Sequence, residues 1–100
     1  MPCEGGVPAL SLAEATALRD QLHADWKIAV DAKSLKRAFK FKDFYRTMSF
    51  VNAVAHIANV EDHHPDLEVG YGCCNVTYAT HSIGGLSQND FICAAKVDLL

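Results

Sequence analysis

The chain has 100 residues, half of them apolar, and a formal net charge of −3. That length supports one small domain over residues 1–100, able to fold alone and able to gain from assembling with copies of itself. The charge argues against a nucleic-acid surface, since Lys33, Lys36, Arg37, Lys40 and Lys42 are local and scattered, and no apolar run is long enough to span a bilayer.

Residues 1–10, with Gly5, Gly6 and Pro8, read as a flexible lead-in without the basic and apolar blocks of a secretory leader. Ser11 and Glu14 have the spacing of a capping box. Leu12, Ala15, Leu18 and Leu22 then recur at helical spacing, which predicts a helix reaching His23 or Ala24. Alternation over Trp26–Val30 and again over Leu35–Phe41, around a turn at Asp31–Ser34, predicts a hairpin with Phe39 and Phe41 on one face.

Asp43 is placed to cap a long second helix. That helix carries two apolar stripes: Phe44, Met48, Val51, Ala55 and Ala58 form one, and Phe50, Val54 and Ile57 form the other. One stripe is expected to pack on the sheet. The stripe with Phe50 and Val54 is expected to meet another subunit, since so short a chain has little material to cover both. Pro65 disfavours helix at the residue before it, so the helix must end before His64.

Leu67, Val69 and Tyr71 alternate as a strand, and Gly70 and Gly72 mark a bulge or tight turn. In the next strand Cys74, Val76 and Tyr78 take the core face, and Asn75, Thr77, Ala79 and His81 the other. Gly84-Gly85 breaks the chain, and Ser87 opens a last helix carrying Phe91, Ile92, Ala95 and Leu99. The order α-β-β-α-β-β-α predicts an α+β fold: a four-stranded antiparallel sheet with three helices packed on one face. Cys3, Cys73, Cys74 and Cys93 make no CxxC pair and no zinc-finger spacing, so they read as reduced thiols of an intracellular protein.

Chemistry concentrates late in the chain. His63 and His64 are adjacent and precede Pro65, and His81 follows. Histidine titrates near neutral pH, so three imidazoles around one cavity would form an acid–base site needing neither metal nor organic cofactor. Neighbours in an extended segment point apart, so His63 and His64 should bracket a pocket. Asp90 fits the acidic position of a capping box begun by Ser87, which is a structural role. His23 and His56 fall within helices and receive no role. A zinc site is the rival, but no HExxH pattern is present, and adjacent histidines chelate a single metal poorly. No serine or cysteine has an activating context, and Gly84-Gly85 is too little for a phosphate loop.

The run Asp62-His63-His64-Pro65, with Tyr71, His81 and Asp90 at their spacings, resembles the signature of the pterin-4a-carbinolamine dehydratases. Trp26, the segment 39–44, Arg46, Phe50 and Gly85-Leu86-Ser87 also look like positions of that family. The resemblance covers residue 11 to the C-terminus. It implies an α+β dimer or tetramer that dehydrates 4a-hydroxytetrahydropterin to the quinonoid dihydropterin, in the recycling of tetrahydrobiopterin. It implies no cofactor, no membrane and no direct nucleic-acid contact, and a cytoplasmic location with the nucleus as a second compartment.

By the same resemblance His63 and His81 are the proton-transfer pair, and His64 binds and orients the substrate. Asp62, Pro65 and the segment Ala79-Thr80-His81-Ser82 line the pocket, and Asp90 holds the helix start that supports His81. Asn59 and Leu67 depart from the family pattern, which commonly has a charged residue or histidine at the first position and an aromatic at the second. Altered affinity is the expected consequence. Two other readings stand beside catalysis. One is a dimerisation or transcriptional coactivator module using the apolar helix face, with a transcription-factor partner only by family analogy. The other is a pterin-binding protein without turnover.

Overall fold

In a computed structural model of the chain, residues 9–80 and 83–100 are described. The elements in order are α1 (Leu12–Arg19), β1 (Lys27–Ile28), β2 (Leu35–Lys40), α2 (Phe44–Glu61), β3 (Asp66–Val69), β4 (Cys73–Tyr78) and α3 (Gln88–Val97). This is the α-β-β-α-β-β-α order expected from the sequence.

The strands form one antiparallel sheet in the order β1-β2-β4-β3. Pairing of Leu35 with Tyr78, Arg37 with Val76 and Phe39 with Cys74 puts these residues on one face. That face carries the core: Leu35, Cys74, Val76 and Tyr78 are buried with Trp26, Val54, Ile57, Phe91, Ala94 and Val97. The other face carries Lys27, Lys36, Ala38, Lys40, Asp66 and Glu68, all exposed. The three helices therefore share the core side, as anticipated, and Cys73 and Cys74 separate into exposed and buried as period two requires. A solvent-open depression of about 410 Å³ on the polar face is lined by Asp25, Lys27, Lys36 and Ala38.

Several expected boundaries shift. The first helix stops at Arg19, capped at its start by the reciprocal Ser11–Glu14 bonds. It does not reach His23, because the His23 N–H is taken by Asp98 Oδ2 at 3.1 Å and Trp26 is drawn into the core. The first strand shrinks to two residues, with Val30 fully exposed. Tyr71 lies past the end of β3, in the turn where Gly70 N–H reaches the Cys73 carbonyl. A Cβ at Gly72 would sit 2.9 Å from the Phe41 carbonyl oxygen, so close backbone approach requires glycine there. Most of the expected lead-in lies outside the described residues. Leu10 is tied down: its N–H donates to the Leu86 carbonyl at 2.9 Å and its side chain packs against the core. On α3 the buried apolar residues are Phe91, Cys93, Ala94 and Val97, while Ile92, Ala95 and, just past the helix, Leu99 face solvent.

The second helix corrects a larger expectation. Asp43 caps it, its carboxylate accepting from Arg46 N–H at 2.8 Å, and it ends before His64 as Pro65 demands. The stripe expected to meet another subunit packs against this chain's own sheet, with Val54 and Ile57 buried and Phe50 half-buried. Phe50 packs on Phe39 and Phe41, ring centroids 4.5 and 5.1 Å away, and Val54 is fully buried. Phe39 lies on the core face of β2 and Phe41 just past its end, and Phe50 is the helix residue that packs on both. The surface left open is the Phe44 side: Phe44 is 47% exposed and stacks on the exposed Tyr71 ring at 6.4 Å.

Candidate active site

Three element ends meet at the site. The α2 helix closes with Asp62 in the left-handed region (φ 51°, ψ 42°), a conformation Asp tolerates better than most residues. The turn lets His63 N–H reach the Ala58 carbonyl at 3.1 Å and swings the His63 side chain inward. The β4 strand ends at Tyr78, and Thr80 then pairs with Gly85, its N–H donating to the Gly85 carbonyl at 2.9 Å. Gly84, at φ 67°, provides the bend that this loop needs. Ser87 and Asp90 open α3.

His63 is 7% exposed, and Asp90 is fully buried. His63 Nε2 lies 2.5 Å from Asp90 Oδ1. The other Asp90 oxygen accepts from Thr80 Oγ1 and from Ser87 N–H, each at 2.9 Å. Ser87 Oγ lies 2.8 Å from Thr80 Oγ1. A buried carboxylate needs such donors, because desolvation without them is costly. The His63 ring stacks on Tyr78, centroids 5.8 Å apart and planes 9° apart. Burial, followed by the nearby Cys93 and Asp90, pushes the Tyr78 phenol well above its ordinary pKa, so it stays neutral.

His63 is thus held in a nearly dry setting by a carboxylate and an aromatic face. An imidazole so placed can carry a proton with its counter-charge already fixed. His64 points the other way and is exposed, the divergence expected of adjacent extended residues. Asp62 is exposed, Pro65 and Ala79 are half-buried, and Thr80 is buried. His81 and Ser82 lie outside the described residues. Of the two departures from the family pattern, Asn59 is exposed on α2, and Leu67 pairs with Val76 and packs against the core.

Asp90 does more than expected from its sequence position. It is the capping-box acid of α3, and it is also the direct partner of His63, 27 residues earlier in the chain. The Thr80 hydroxyl and the Tyr78 ring were likewise not singled out for contacts with this pair. Nothing local encodes those contacts. A capping box in the sequence marks a helix start, and full burial of its acid follows only from how α3 sits on the sheet.

Known proteins are similar to this chain over nearly its whole length. Residues 8–100 match the family model described as pterin 4 alpha carbinolamine dehydratase. A Nitrosomonas europaea protein provisionally named a pterin-4-alpha-carbinolamine dehydratase is 60% identical over 99% of this chain and 86% of its own length. A Legionella pneumophila protein of the same provisional name is 55% identical, over 98% and 87%. A solved Brucella melitensis structure described as a transcriptional coactivator/pterin dehydratase superposes with a TM-score of 0.85 at 32% identity, covering 91% of this chain and 96% of that one. A pterin dehydratase-like RuBisCO assembly factor of the alpha-carboxysome shares the fold, with a TM-score of 0.66 at 23% identity over 77% of this chain and 89% of that one. With the α-β-β-α-β-β-α fold, the family model matched over residues 8–100 and relatives 60% and 55% identical over nearly the full length, the chain belongs to the pterin-4-alpha-carbinolamine dehydratase family.

Proposed function

We propose that this chain is a hydro-lyase that converts 4a-hydroxytetrahydropterin to the quinonoid dihydropterin. The observation that carries the reading is the buried His63–Asp90 pair, at 2.5 Å, in a member of this family. Dehydration breaks the C4a–O bond. One proton goes to the departing hydroxyl, which leaves as water, and one proton comes off a pterin ring nitrogen, so the sum is loss of one water with no change of oxidation state. His63 and His81 are the proton-transfer pair, with the Asp90 carboxylate steadying positive charge on His63. His64, which is exposed, orients the pterin. Asp62, Pro65, Ala79, Thr80 and Ser82 line the pocket. The reaction is placed in tetrahydrobiopterin recycling in the cytoplasm.

A stopped-flow dehydration assay tests the reading. His63→Ala should lower the rate by about 10²- to 10⁴-fold, the usual contribution of a positioned acid–base group. A chelator should leave the wild-type rate unchanged. Full turnover in both His63→Ala and His81→Ala would remove the proposed pair.

An interaction role has one specific support, the coactivator description of the Brucella relative. Self-association into a dimer or tetramer fits the exposed Phe44 and Tyr71 stack better than the buried Phe50 stripe. His63→Ala should lower dehydration by that factor and leave assembly intact. A variant that loses both together would place the histidine in the assembly surface instead.

A further inference from the structure

We infer that Thr80 is a positioning residue that acts on His63 through Asp90. The inference rests on the acid–base reading of His63 proposed above. Thr80 is 3% exposed, and its hydroxyl meets both Asp90 Oδ2, at 2.9 Å, and Ser87 Oγ, at 2.8 Å. A hydroxyl has a single proton, and a carboxylate only accepts. The Thr80 proton is therefore committed to Asp90, and the Ser87 hydroxyl donates to Thr80. Donation runs one way, from Ser87 through Thr80 to Asp90.

The consequence is geometric. Asp90 Oδ2 is held by two donors from different elements, the Thr80 hydroxyl beyond β4 and the Ser87 N–H at the start of α3. Two donors on one oxygen fix the plane of the carboxylate. That plane aims Oδ1 at His63 Nε2. A neutral His63 facing a carboxylate through Nε2 keeps its proton on that nitrogen, so the Asp90 orientation selects the tautomer as well as the ring angle. The β-branch of threonine restricts χ1 and presets the hydroxyl. The pairing of Thr80 with Gly85 clamps the backbone beneath it. Without the hydroxyl, Asp90 Oδ2 retains the Ser87 N–H, but the carboxylate gains freedom to turn, and His63 turns with it.

The test uses the full chain with ¹⁵N-labelled histidine, the His63 signals being assigned by their loss in His63→Gln. The wild-type protein should show the Nε2–H tautomer with a strongly downfield ring proton. Thr80→Val keeps the shape and removes the hydroxyl. It should move that proton upfield and mix the tautomers, and it should lower kcat by roughly 10- to 100-fold, the usual effect of losing a hydrogen bond to a charged group, with KM little changed. Thr80→Ser, which keeps the hydroxyl, should restore the wild-type signal and most of kcat. Thr80→Ala is the second variant, read the same way if the valine form does not fold. A wild-type His63 signal in the hydroxyl-less variants, or a serine variant as impaired as they are, would overturn the inference. If the wild-type protein fails to turn over the carbinolamine, the dehydratase reading falls, and the NMR comparison alone decides whether Thr80 holds His63.

Discussion

Tyr78 is where the core and the candidate site share a side chain. Its ring stacks on His63 and tilts against Trp26, centroids 6.3 Å apart, and the residue is fully buried. Its hydroxyl has no hydrogen-bond partner among the described residues. A buried polar group without a partner is a cost to folding. Tyr78→Phe should therefore leave stability unchanged or raise it by about 1 kcal/mol, as read from urea denaturation. A clear loss would mean that the hydroxyl is bonded after all. At this scale the sequence made His63 and His64 legible, because adjacency and Pro65 are local facts. It marked Asp90 as a cap and left its bond to His63 invisible, because residues 27 apart share no local pattern. The expected partner His81 lies outside the described residues, and among those described it is the Thr80 hydroxyl that shares the Asp90 carboxylate with the His63 ring.

Among the elements, α2 decides where His63 lies. Asp43 accepts from Arg46 N–H, and Thr47 Oγ1 reaches both the Asp43 and the Tyr71 carbonyls at 2.9 Å. Asp43→Ala should cost about 1 kcal/mol, the usual loss for an N-cap, read as a shift in the denaturation midpoint at constant slope. At the other end, Lys96 of α3 bonds Glu61 Oε2 at 2.6 Å and holds the Glu61 carboxyl below its ordinary pKa. That contact favours the folded state above the normal carboxylate range and is lost as pH falls through the lowered value. It is a modest, screened contribution at an exposed position. The helices were readable from their caps and spacing. The partner of each α2 stripe was not, because periodicity reports that a face is apolar and is silent on what covers it. Phe50 belongs to the sheet because Phe39 and Phe41 rise beneath it.

For the molecule as a whole, Asp98 ties the end of α3 to distant elements. One of its oxygens accepts from Trp26 Nε1 and from Arg37 Nη1, each at 2.7 Å, and the other accepts from His23 N–H. Asp98→Ala would leave a mostly buried guanidinium and an indole N–H unpaired, and should cost about 2–4 kcal/mol, measured by thermal or urea unfolding. Because α3 also carries Asp90, the same variant should weaken dehydration at temperatures where the native state is still populated. An effect under 1 kcal/mol would mean that water replaces the carboxylate. The sequence by itself determined the element order, the core-facing side of β4, the caps of α1 and α2, and the family, since all of these are written in spacings of a few residues. Only the tertiary structure decided that Asp90 faces His63, that Thr80 and Ser87 hold Asp90, and that Asp98 gathers Trp26 and Arg37. Those contacts join residues far apart along the chain, and they exist only once the helices have settled on the sheet and driven water from between them.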